Sequence, residues 1–259
     1  MMSSNQTRSI KSILLLAGSF TFAFLLSELV HEYGHFWGHI AYENPDNIQV
    51  HIDPLGGSRI MGVASLPDKV LGVTSATGPL FNLLLAVTCL LLIWRIRRLV
   101  LLPFLLWGPI AMIQEGVTYS PGMMTPGGDA QWISALGVPR PLLLVTGSFL
   151  LVAGVKTISL PLPLTDIESD SPFKDKFLII LPGMCSLMFV RFIYSFFASQ
   201  ASLVENLVPL IFSLLLAVFV VLSYKPASGN TGGAGIKTES VAWSADTLAL
   251  TLGLGMFLI

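Results

Sequence analysis

The strongest constraint on this chain is a succession of apolar stretches, each long enough to cross a lipid bilayer. A spanning helix needs about 20 mostly apolar residues, and the runs at 10–41, 70–94, 99–118, 141–160, 176–198 and 203–224 reach that length. A further run at 241–259 is shorter and carries Asp246; it is read as a seventh span. Hydrocarbon offers backbone amides no partner, so runs of this kind fold as helices. Composition agrees, with 53% of the 259 residues hydrophobic and 11% charged, where a soluble domain has about a quarter charged. The expected fold is an all-α polytopic membrane protein of about six to seven transmembrane helices. It is read as one integral membrane domain over 1–259, multi-pass and placed in the cell membrane. A formal net charge of −1 and the lack of any basic tract argue against a nucleic-acid partner. Cys89 and Cys185 fall in apolar runs, form no C-x-x-C pair and read as packing residues.

Arg8 and Lys11 precede the first apolar core in the manner of a signal peptide, but no A-x-A-like site follows, so the run is expected to stay as a span. Between the first two runs lies the polar stretch Asn44–Asp68. Within it Ile48–Ile52 alternates apolar and polar residues, Pro54-Leu55-Gly56-Gly57 signals a turn, and Ile60–Val63 suits a returning strand. A small β-hairpin after the first helix, at the membrane surface, is the expectation. The remaining connections, Tyr119–Arg140, Pro161–Asp175 and Lys225–Ser240, are too short for a soluble domain, and the last reads as a flexible linker. Arg8, Lys11, Arg95, Arg97 and Arg98 on one side outnumber Arg59, Lys69 and Arg140 on the other. That count favours a cytoplasmic N-terminus and turns the far end of the first span outward.

All four histidines, at 31, 35, 39 and 51, lie within 21 positions. Ionisable groups in membrane helices are costly, so such clustering demands a reason. Residues i and i+4 of a helix share a face, which points His31 and His35 the same way. Two imidazoles so spaced can hold one Zn²⁺, with Glu32 beside them to handle a proton; this is the H-E-x-x-H arrangement of zinc peptidases. A catalytic zinc site usually has three protein ligands and a water, so one ligand is missing.

The candidates for it are His39, His51, Glu115 and Asp129. His39 stacks on the same face, from which three ligands surround a tetrahedral ion badly. His51 falls in the hairpin. With alternating spans, Glu115 and Asp129 both return to the side that carries His31 and His35. Each has a plainer reading: Asp129 as a helix N-cap, Glu115 as an interfacial polar group or a residue orienting a ligand. Asn82 either bonds a neighbouring helix or faces the metal cavity as an amide donor for substrate backbone or a developing oxyanion. Gly78-Pro79 reads as a kink. Glu28 is read as a polar lining group, and Arg191 needs a partner or a watery cavity.

Taken together, His31-Glu32-Tyr33-Gly34-His35, Thr77-Gly78-Pro79-Leu80-Phe81-Asn82 and Asp129 resemble the H-E-x-x-H, G-P-x-x-N and distant-Asp elements of the site-2 protease family of intramembrane zinc metallopeptidases. Pro54–Gly57 is similar to that family's glycine-rich strand turn. The similarity covers about residues 20–135, which makes 10–140 the catalytic core and 141–259 accessory helices. The resemblance implies Zn²⁺ on His31, His35 and Asp129 and Glu32 as catalytic base; Asn82, Glu115 and His39 are read from the residues themselves as supporting or substrate-contacting groups. It also implies a membrane-protein substrate, cut within or beside its spanning helix. Ala130 follows Asp129 where the family has Gly, no Asn-x-x-Pro precedes it, and the family places its motif nearer the cytosolic face, against the Lys/Arg count. Two rival readings stand beside it. One is a zinc protease of another family, with Glu115 in place of Asp129. The other is a zinc-binding membrane protein without proteolytic activity, either a metal transporter or an inactive scaffold. A transporter would spread ionisable ligands over several spans, whereas here they gather at one end with Glu32 intact.

Overall fold

The computed structural model describes residues 4–52, 58–62, 66–93, 99–120, 122, 128–158, 160–162, 173, 176–185, 211, 214–215 and 217–222. Most of these are helical. Helix α1 runs Ser4–His39, α2 Asp68–Ile93, α3 Leu102–Tyr119, α4 Asp129–Ala135 and α5 Arg140–Ile158; a further apolar helix, α6, covers Lys176–Cys185. Between α1 and α2 the expected hairpin forms from β1, Gln49–His51, and β2, Arg59–Met61. The strands are antiparallel, with Val50 opposite Ile60 and His51 opposite Arg59. The turn at Pro54–Gly57, Arg191, the linker at 225–240 and the run at 241–259 lie outside the described residues, as do most of 186–216.

Three helical segments, Ser12–His39, Asp68–Leu92 and Arg140–Ile158, are long and apolar enough to cross a membrane. The first has 28 residues, which at 1.5 Å each is about 42 Å, against about 30 Å of hydrocarbon. The third apolar run behaves differently from the others. It forms α3, only 18 residues long, which buries Leu105, Leu106, Ile110, Ala111 and Ile113 along with the polar Glu115. This helix is shielded by protein, so its Gln114-Glu115 pair need not face lipid.

The chain divides into two compact units, one of Met1–Phe22, Ile96–Pro103 and Ile158–Ile259, the other of Ala23–Arg95 and Phe104–Thr157. In the first, α6 lies close on α1, and a Cβ on Gly183 would stand 2.8 Å from the Leu16 Cβ. The second unit holds the histidines and is built on close backbone approaches. Lipid tails are as apolar as leucine, so helices in a membrane gain most from packing through small residues. Gly34 of α1 meets Gly78 of α2, where an added Cβ would lie 2.8 Å from the Gly78 Cα. On α3, Gly116 is pressed against Gly147 and Leu151 of α5. Helix α4 seats on α2 at Gly72, beside the Trp132 carbonyl and Leu136. It stops at Gly137, whose φ of +91° only glycine adopts without strain, and Pro139 follows before α5 begins. This short helix has one consequence for function: it delivers Asp129, its first residue, to the end of α1.

Candidate metal centre

His31 and His35 sit on consecutive turns of α1, both buried. The His35 Nδ1 lies 2.8 Å from the Thr74 carbonyl oxygen of α2. A carbonyl only accepts, so Nδ1 carries the hydrogen and Nε2 keeps its lone pair. The His31 Nδ1 lies 2.9 Å from Glu115 Oε1 on α3; a carboxylate oxygen accepts, which likewise leaves Nε2 its lone pair. The two Nε2 atoms are 3.0 Å apart, and Asp129 Oδ2 stands 3.2 Å from the first and 3.3 Å from the second. Three lone-pair atoms so close repel one another unless a proton or a cation lies among them. His31, His35 and Asp129 thus form a group that could hold a metal ion.

Asp129 does not cap its helix: Gly128 is the N-cap and no side chain closes that end. Burial by itself would raise the Asp129 carboxyl, but an imidazole that carries a proton toward it outweighs this through hydrogen bond and charge, and holds the group well below the usual carboxylate range. Its side chain is 21% exposed, against 10% and 9% for the imidazoles, so the triangle is most open on the Asp129 side. Glu32, on the same turn of α1, is buried and within electrostatic reach of His31, His35 and Asp129. No hydrogen bond to its carboxylate occurs among the described residues.

The remaining sequence candidates take distinct places. Glu115 stands behind His31, on the nitrogen away from the triangle, while Asp129 fills the third corner. Asn82 is fully buried; its amide nitrogen donates to Glu115 Oε1 at 2.7 Å and to Ser27 Oγ at 2.9 Å. Its oxygen accepts from the Trp107 indole at 3.2 Å. Both hydrogens of that amide are engaged within the chain, by Ser27 of α1 and Glu115 of α3. His39 keeps apart from the triangle, with Nδ1 3.8 Å from Glu43 Oε1. His51 lies exposed on β1, opposite Arg59. Glu28 receives a long contact, 3.5 Å, from the Gln114 amide.

Several contributors escaped the sequence reading. Gly78 is more than a kink: a Cβ there would lie 2.5 Å from Cε1 and Nε2 of His35, so its bare Cα makes the space for the ring. The Thr74 carbonyl lies next to that of Ser75, which has no helical partner because Pro79 lacks an amide hydrogen. Small residues at 34, 38 and 78 were a readable signal of close helix contact. Trp107, whose indole N–H needs a partner when buried, was a signal of a polar neighbour. No family model, curated protein or solved structure matches the chain, so its chemistry is read from these side chains alone.

Proposed function

We propose that this chain is a zinc-dependent intramembrane endopeptidase of the site-2 protease type, hydrolysing a peptide bond of a membrane protein within or beside its spanning helix. One observation carries the reading: the three facing ligand atoms form a triangle with sides of 3.0, 3.2 and 3.3 Å. Ligands about 2.0–2.1 Å from a tetrahedral zinc are separated by about 3.3 Å, so the triangle has the size of one tetrahedral face. Two imidazoles and one carboxylate are a donor set of catalytic zinc, whereas an all-oxygen site would suit Mg²⁺ or Ca²⁺.

When bound, the ion supplies a Lewis acid for the scissile carbonyl and makes a water acidic enough to attack near neutral pH. The chain's own residues do the rest. Glu32, buried beside both imidazoles and free of hydrogen bonds among the described residues, takes the proton of the attacking water and returns it to the leaving amine. The exposed edge of Asp129 is the side from which water enters. Intrahelical hydrogen bonds satisfy a spanning helix's carbonyls, so the substrate must unwind locally before one can be attacked.

The test uses the purified protein in lipid, with its metal measured by mass spectrometry and cleavage followed on a single-span reporter. Glu32→Gln should keep zinc at the wild-type level and lower turnover by about 10²–10⁴-fold, the usual worth of a general base. His35→Ala and Asp129→Ala should each lose the metal and the activity together. Undiminished cleavage by Glu32→Gln, or a wild-type protein without metal, would sink the proposal.

A further inference from the structure

A neutral imidazole has a single N–H, and the hydrogen bond made by one nitrogen decides whether the other can bind a metal. His35 receives its instruction from a backbone carbonyl, but His31 depends on a side chain, Glu115, 2.9 Å away. What fixes the polarity of that contact lies further along. The Trp107 indole can only donate, so the Asn82 atom facing it at 3.2 Å must be the amide oxygen. The Asn82 nitrogen is thereby turned toward Ser27 and toward Glu115, whose Oε1 it reaches at 2.7 Å. That oxygen accepts from Asn82, and a carboxylate oxygen has no hydrogen of its own to give, so the other group pointing at it, His31 Nδ1, is the donor.

We infer that Glu115 is a positioning residue that sets the His31 tautomer, through a one-way hydrogen-bond chain whose direction originates at the Trp107 indole. All members are buried: Asn82 and Glu115 have no exposed surface, Ser27 likewise, and Trp107 is 7% exposed. Water therefore cannot substitute for a missing link. The chain presents His31 Nε2, and not Nδ1, to the triangle shared with His35 and Asp129. Its effect on zinc rests on the metallopeptidase reading, whereas the tautomer itself does not.

With four histidines in the sequence, the test is nitrogen-15 spectroscopy of histidine-labelled, metal-free protein in lipid nanodiscs, at about pH 9.5, above the usual imidazole range. In the wild type both His31 and His35 carry hydrogen on Nδ1. Glu115→Ala should move His31 to Nε2–H, wholly or in part, and leave His35 as it was, because the Thr74 carbonyl is untouched. In chelator competition with zinc alone, the same variant should bind about 10–100-fold more weakly. Glu115→Gln places an equivalent oxygen between the same two donors, so it should keep the His31 tautomer and recover most of the affinity. Trp107→Phe, which removes the donor and keeps the ring, should fall between the two. His31 retaining Nδ1–H in Glu115→Ala would overturn the inference, as would His31 and His35 shifting together in Glu115→Gln, the mark of a merely structural residue. If the wild type takes up no zinc and yet His31 alone switches in Glu115→Ala, the positioning role stands and the peptidase reading falls.

Discussion

One turn of helix separates His31 from His35, and both serve the same triangle, but the two flanks that hold them are made of different material. On the His31 flank the support is side chains: Glu115, Asn82, Ser27 and Trp107, contributed by α1, α2 and α3 and joined by contacts of 2.7–3.2 Å. On the His35 flank it is backbone, the Thr74 carbonyl at 2.8 Å and the bare Cα of Gly78 beneath the ring. A side-chain support fails when an atom is removed, since a buried donor or acceptor left alone costs about 1–3 kcal/mol. A backbone support cannot be deleted, and it fails only when an atom is added.

The harshest way to break this contrast is Gly78→Ala. Alanine improves helix propensity by about 1 kcal/mol, but the new Cβ would land 2.5 Å from two atoms of the His35 ring and 2.8 Å from a third. Overpacking of that kind costs about 1–3 kcal/mol, so a net loss of stability is expected. More telling is the displaced ring, because a misplacement of about 1 Å lowers catalysis on the order of 100-fold. Metal analysis and reporter cleavage of Gly78→Ala should both fall, with the His31 tautomer preserved. Full zinc content in this variant would mean that the glycine is incidental.

Asn82→Ala probes the opposite flank and should do less. It strands the Trp107 N–H, leaves the Ser27 hydroxyl without its amide donor and removes one of the two donors to Glu115 Oε1, yet leaves the His31–Glu115 contact in place. Expected are a thermal destabilisation of about 1–3 kcal/mol and zinc binding weakened by about tenfold. Were zinc binding unchanged by chelator competition, the side-chain flank would be a packing feature without bearing on the metal.

The same contrast governs how much could be read from the sequence. Charged and amide groups stand out in an apolar run, because each needs a reason to be there, and so His31, His35, Glu115, Asn82 and Asp129 were all in view. Their partners were not. That Glu115 lies behind His31 while Asp129 faces the triangle depends on where α3 and α4 dock, and those dockings turn on glycines at 72, 116 and 147 whose close approaches no spacing announces. Backbone leaves still less trace: the Thr74 carbonyl looks like any other, and Gly78 reads as a kink until a ring is seen lying on it. The helices themselves were legible from hydropathy, within a residue or two for α2 and α5. The run at 99–118 forms α3, much of it enclosed by other helices, and hydropathy cannot tell such a helix from one that faces lipid.

The finest test of the backbone flank is Thr77→Val. The Thr77 hydroxyl donates to the Thr74 carbonyl at 2.6 Å, the same oxygen that receives His35 Nδ1 at 2.8 Å. Valine keeps the branched shape against Gly38, where a Cβ would already meet the Thr77 side chain, and removes only the donor. One hydrogen bond of this type contributes about 0.5–1.5 kcal/mol, so a small fall in melting temperature is expected. With a competing donor gone, the carbonyl has more of its acceptor capacity left for His35. Zinc affinity should therefore stay within about threefold of wild type or tighten slightly, far from the tenfold or greater loss that goes with a missing link around a metal ligand. A tenfold loss in Thr77→Val, with the His35 Nδ1–H signal weakened, would show that this flank also leans on a side chain, and the division between the two imidazoles would collapse.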